Sequence, residues 1–188
     1  MAKIKWRSGT LLAPLPPALV SCSDGEKDNL ITVGWTGIVC SEPAKTYISL
    51  RPERYSYEII KKTGEFVINV PSSHIIRSID FCGCRSGRTV DKFKECRLTK
   101  EVATEVNCPM VAESPVSIEC RVTDILPLGT HHMFMADIVA VNIDERYIDE
   151  KGKFRVEKCG LAAYAHGQYF ALGKKIGSFG YSVKKKKK

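Results

Sequence analysis

Two arginines, a tyrosine and a serine gather in Arg51-Pro52-Glu53-Arg54-Tyr55-Ser56, where the apolar run Thr46 to Leu50 gives way to a helical pattern around Ile59 and Ile60. Lys61 and Lys62 suit the last turn of that helix and Gly64 the position past its end, so its start falls near Tyr55. A helix start leaves backbone N–H groups unpaired. With the Ser56 hydroxyl and an Arg51 or Arg54 guanidinium beside them, the chemistry on offer is capture of a phosphate-like anion. A solvated helix start with surface arginines is the other reading of the same residues.

The elements that must position this corner lie just upstream. Residues 29 to 51 read as two strands joined by Ser41-Glu42-Pro43-Ala44. Thr32, Gly34 and Thr36 alternate onto one face, and Ile31, Val33 and Trp35 onto the other. Glycine inside a strand marks either close approach of a ligand to the backbone or a kink in a barrel strand. Asn29, at the end of the turn after the strand Ala18 to Ser23, is placed to hydrogen-bond a ligand or to cap that turn.

Further along, residues 65 to 70 alternate as a barrel strand with polar Asn69, and Ser73 reads as the N-cap of a helix with Ile75, Ile76, Ile79 and Cys82 on its apolar face. Residues 83 to 94 form a glycine-bearing, charged, irregular loop that either crosses solvent or covers a site. In residues 115 to 125, Val116, Ile118, Cys120 and Val122 point inward and Ser117, Glu119, Arg121 and Thr123 outward, a strand with one wet face. A turn at Pro127 to Thr130 leads into a near-continuous apolar run that implies burial on both faces, in the barrel or at a dimer interface, within which Asp137 needs a partner or a polar lip. The final stretch carries aromatics and glycines too closely interleaved for one long helix and suits a covering segment.

The chain has 188 residues, 44% apolar and 27% charged, enough for one domain, expected over residues 1–183. Lys184 to Lys188 supply five of the net +8 charges, so the body carries only +3 and a broadly basic surface is not established. The run 184–188 reads as a disordered tail, with a tether to nucleic acid or anionic membrane as the sharper alternative. No 18-residue apolar run occurs, and a cytoplasmic location without membrane partners is the expectation. Of eight cysteines, only Cys82 and Cys84 are close in sequence, and their spacing is not that of a zinc or thioredoxin-like pair; no metal site is expected. Reduced thiols are the expectation, with Cys82 and Cys84, flanking a glycine, open to redox or metal chemistry as the alternative.

Taken with TGEFVINVPS at 63–72, SGRTVDKF at 86–93 and LGTHHMFMADIVAV at 128–141, the corner resembles the flavin reductase-like family, and most of all its flavoredoxin-type branch. The resemblance implies a mainly β fold, an FMN-binding split β-barrel with a few short helices, assembled as a homodimer. It implies an FMN-dependent oxidoreductase passing electrons from NAD(P)H or a reduced carrier to flavin or a partner. The alternatives are a non-catalytic FMN-binding electron carrier and, further off, a nucleic-acid-binding barrel. On this likeness Arg51, Tyr55 and Ser56 would hold the phosphate. Asn29, Thr32, Gly34, Trp35, Thr36, Gly37, Ser49 and Leu50 would line the flavin, with Lys92 adding charge and Phe93 an apolar wall. His131 matches a family histidine near the nicotinamide, while Thr130, Ala136 and Asp137 depart from the family pattern and leave the pyridine-nucleotide step open.

Overall fold

In the computed structural model, which describes residues 1–184, the apolar-rich segments pair into one antiparallel seven-stranded sheet. In chain order the strands are β1 (Ala18–Ser23), β2 (Asp28–Val33), β3 (Thr36–Ser41), β4 (Ala44–Leu50) and β5 (Glu65–Asn69). A small separate pair follows, β6 (Lys100–Glu101) with β7 (Met110–Val111), then the long hairpin β8 (Val116–Pro127) and β9 (His132–Ile143). The spatial order is β2-β1-β5-β8-β9-β4-β3. β2 and β3 therefore occupy opposite edges, although only Gly34 and Trp35 separate them in the chain. Three Cα–Cα steps reach at most ~11 Å, so the two edges meet at that link and the sheet curls into a split barrel.

Phe66, Phe134, Ile48 and Val20 fill the barrel interior, where Tyr57 and Ile60 of helix α1 (Tyr55–Thr63) join them. Helix α2 (Ile76–Cys84) and the short α3 (Lys92–Cys96) cover the outer face of β1 and β2, packing Ile79, Cys82 and Phe93 on Leu19 and Leu30. β1 is thereby buried along its whole length. The C-terminal hairpin, β10 (Ala162–Ala165) and β11 (Gln168–Ala171), is tied down by paired backbone bonds between Leu15 and Tyr164 at 2.9 and 2.8 Å. Gly64 ends α1 in the left-handed region at φ 71°, as its position past the lysines requires.

Several expectations need correction. The first strand of residues 29–51 is two strands, broken at the Gly34-Trp35 bend that carries the chain across the seam. Ser73 does not cap α2: it sits in a single 3₁₀ turn, makes no side-chain cap bond, and its N–H donates to the Gly160 carbonyl at 2.8 Å. The loop after Gly83 is irregular only to Asp91, whose side chain accepts from the Lys94 N–H and starts α3. The outer face of β8 is dry at Ser117 and Glu119, both buried, because residues 103–110 lie over it and over Val67. Glu119 accepts from the Thr104, Glu105 and Val106 N–H groups, the Thr104 hydroxyl and the Asn142 amide. Burial alone would raise its carboxyl; these bonds outweigh it and hold the group down at about 2. β9 is only half-buried along most of its length, and Asp137 has its partner in Lys45. The lysine run falls almost entirely outside the described residues.

Candidate functional site

A cleft of about 400 Å³ opens where the end of β2, the Gly34-Trp35 link, the end of β4 and the start of α1 meet, with α2 and the β10–β11 hairpin supplying the remaining walls. Its cationic end is built by the connection from β4 to α1. Arg54 occupies the N-cap position in extended conformation and no side chain caps the helix; the Tyr57 N–H turns back to the Arg54 carbonyl at 3.0 Å, which leaves the Tyr55 and Ser56 N–H groups without a helical partner. Arg51 and Arg54 both line the cleft. Arg51 faces Glu53 at 3.6 Å with both side chains at least half exposed, a pair too solvated to neutralise it.

Trp35 and His131 bound one edge, their ring centroids 4.3 Å apart and tilted by 57°. His131 is delivered by the tight β8–β9 turn, closed by Leu128 N–H to the His131 carbonyl at 2.9 Å. Burial, then the charge of Arg51 and of Arg54, pushes its imidazole below the ordinary value of 6.5, while Glu53 opposes the shift. The ring is therefore neutral near pH 7. On the opposing helix, Asp80 and Cys84 stand one turn apart and both line the cleft. Gly83 between them faces Thr32, whose Cβ lies 3.4 Å from where a Cβ on residue 83 would stand. Tyr169 of β11 donates its hydroxyl to Asp80 Oδ1 at 3.0 Å and packs on Tyr164 with centroids 5.4 Å apart. Burial, with the bond to Asp80, pushes the Tyr169 phenol up, so it stays a donor. The arrangement suits a flat ring lying between backbone and aromatic walls with an anionic tail at the arginine end.

Of the residues singled out from sequence, Thr32, Gly34, Trp35, Ser49, Leu50, Arg51 and His131 come together on this cleft. Thr36 and Gly37 lie beyond the link, where Thr36 donates to the Tyr47 carbonyl and Gly37 packs on the Tyr47 ring. Asn29 and Ser56 are buried and satisfy each other, the Asn29 amide donating to the Ser56 hydroxyl at 2.7 Å. Tyr55 lies outside the cleft lining, its ring contacted by Lys27 and Arg88. Lys92 is corrected outright: it is buried, and its ammonium donates to the Leu30 and Cys82 carbonyls at 2.6 and 2.8 Å. Phe93 is core against α2 rather than a cleft wall. Sequence reading missed Asp80, Tyr164 and Tyr169 as wall residues. The i, i+4 spacing of Asp80 and Cys84 around a glycine and the aromatic content of the last segment were the signals available. Among the described residues no group of three or more His, Cys, Asp or Glu side chains is arranged to hold a metal.

The profile of the flavin reductase like domain matches residues 11–173. The chain belongs to the flavin reductase-like family. Flavoredoxin of Desulfovibrio vulgaris (Miyazaki F) shares 30% identity and superposes with a TM-score of 0.90, covering 97% of this chain and 100% of that one. An FMN-binding protein from Thermus thermophilus, 22% identical, has the same fold with a TM-score of 0.79 over 95% of this chain and 99% of that one. The NADPH-flavin oxidoreductase of Streptomyces viridifaciens is 28% identical over 124 residues, 65% of this chain and 63% of that protein. In this flavin reductase-like chain the seam cleft has Arg51 and Arg54 in its lining, next to an α1 start that no side chain caps.

Proposed function

We propose that this protein binds FMN in the seam cleft and works as an oxidoreductase, moving electrons from NAD(P)H or a reduced carrier to a flavin or a partner protein. The observation that carries the reading is the pairing of the uncapped α1 start with Arg51 and Arg54 on a cleft that Gly34 also lines. FMN supplies the redox chemistry, so the protein need only bind, orient and shield it. Arg51, Arg54 and the first-turn N–H groups hold the phosphate. Thr32, Gly34, Ser49 and Leu50 lie against the ring, where an added Cβ on Gly34 would meet no protein atom and would project into free space. Trp35 and neutral His131 bound the side open to an electron donor, and Tyr164 with Tyr169 keeps water from the opposite wall.

A homodimer is part of this reading, supported by exposed Ile38 and Val39 on edge strand β3 and exposed Val141 on β9. The test is the absorbance spectrum of purified protein reconstituted with FMN, followed by anaerobic NADH and then NADPH. Bleaching of the bound flavin bands supports the oxidoreductase. Flavin that binds and stays oxidised with both donors replaces it with an electron store fed by another protein, and absence of binding ends the reading. Light scattering in solution tests the dimer.

A further inference from the structure

Two sulfurs outside the cleft meet at the junction of α2 and α3. Cys82 Sγ lies 3.9 Å from Cys96 Sγ, and among the described residues no other pair of thiols is in hydrogen-bonding contact. Each is fixed by its helix: Cys82 in the last turn of α2, Cys96 the final residue of α3 before Arg97 turns into the left-handed region at φ 53°. We propose that Cys82 and Cys96 are an oxidisable dithiol, closed to a disulfide by a peroxide, which ties α2 to α3 beside the cleft.

The geometry supplies what the step needs. A disulfide requires S–S of about 2.05 Å, so each sulfur moves inward by roughly 1 Å, within reach of side-chain rotation at two helix ends. Access is graded, since Cys82 is 1% exposed whereas Cys96 is only half-buried and meets a small oxidant first. The Lys92 ammonium, anchored on the Cys82 carbonyl, sits beside Cys82, yet burial and then Cys96 push that thiol up to about 12, so Cys82 stays a protonated resolving thiol and the reaction starts at the more accessible Cys96. Cys96 thiolate attacks one peroxide oxygen, the O–O bond breaks, and Cys96 becomes a sulfenic acid as water leaves. The Cys82 sulfur then attacks the Cys96 sulfur, the S–S bond forms, the S–O bond breaks, and a second water departs. Two thiols and one hydrogen peroxide give one disulfide and two waters; the sulfurs lose two electrons and the peroxide gains them.

The bond would also fix the segment between the helices. Gly87 in that segment is buried against Asn29 and Tyr55, where a Cβ would stand 2.0 Å from Asn29 Oδ1, so the loop fits closely against the residues at the α1 start. The proposal does not depend on bound flavin.

The test treats the full chain with hydrogen peroxide, blocks remaining thiols after denaturation, and digests without reductant. The expected product is a peptide pair joining Cys82 to Cys96, two hydrogens lighter than its parts, separated again by dithiothreitol, and lost in Cys96→Ser. The wild-type peptide map decides the matter even where the variant folds poorly. Accumulation of sulfinic acid at Cys96 with Cys82 still alkylated, or joining of either residue to exposed Cys84 instead, overturns the proposal.

Discussion

Removing the positive charge at the seam should weaken a phosphorylated flavin much more than its dephosphorylated counterpart. A hydrogen bond to a charged group contributes about 1.5–3 kcal/mol. The Arg51 side chain is half exposed, so screening places it at the lower end of that range. Arg51→Ala should therefore cost about 1.4 kcal/mol, a tenfold rise in the FMN dissociation constant. Replacing Arg54 as well should bring the loss to about 3 kcal/mol, on the order of a hundredfold, if the two guanidiniums meet separate phosphate oxygens. Fluorescence titration with FMN and with riboflavin, each at low and high salt, isolates the phosphate contribution. Riboflavin affinity should change little in either variant, and the salt dependence of FMN binding should shrink with each arginine removed. Equal losses for FMN and riboflavin would mean that the arginines shape the ring pocket rather than hold a phosphate. Unchanged FMN affinity in the double variant would remove the anion site from this corner altogether.

Three other perturbations probe the same structure. The folded Glu119 carboxyl titrates at about 2 against an ordinary 4.5, so its stabilisation is present above 4.5 and is lost as pH falls toward 2. Glu119→Gln should flatten that acid limb in urea unfolding while costing about 1–3 kcal/mol at neutral pH, because the N–H groups of residues 104–106, that of Val106 buried, lose an anionic acceptor; a variant as stable as the wild type, with the same acid limb, would refute this. His131 is held below 6.5, so the unfolded state takes its proton first and stability declines as pH drops from 6.5 toward the folded value. Replacing Arg51 and Arg54 with alanine should raise the folded value, read by NMR titration of the imidazole, and an unmoved titration would mean that burial alone sets it. Tyr169→Phe removes the bond to Asp80 and should release FMN faster in stopped flow with the association rate little changed, whereas Asp80→Asn, which keeps an acceptor oxygen, should retain most of the wild-type residence time.

Local pattern carried much of the architecture. The apolar run from Ala18 to Ser23 and the alternation of residues 65 to 69 mark β1 and β5, and lysines before Gly64 mark the end of α1. What alternation could not reveal was what lies against a polar face. Ser117 and Glu119 alternate like residues meeting water, yet residues 103–110 fold over them, and the N–H groups that satisfy Glu119 come from that covering loop. Lys92, expected from the resemblance to add charge beside the flavin, is misplaced for the same reason, because only the tertiary meeting of β2 and α2 brings the Leu30 and Cys82 carbonyls to its ammonium.

The candidate site divides along the same line. Thr32, Gly34, Ser49 and Arg51 were readable because glycine in a strand and arginine before a helix have local physical meanings. Thr36 and Gly37 share the strand-like pattern but follow the bend at which the chain passes from one sheet edge to the other, so continuing the alternation through Trp35 carried them into the wrong surroundings. The Gly34-Trp35 link is thus both the reason the barrel meets at its seam and the reason the cleft lies there. A chain that joins opposite edges with two residues must expose backbone at the crossing. A glycine at that crossing, with nothing within 4 Å of an added Cβ, leaves that backbone open on the side where the proposed flavin would lie.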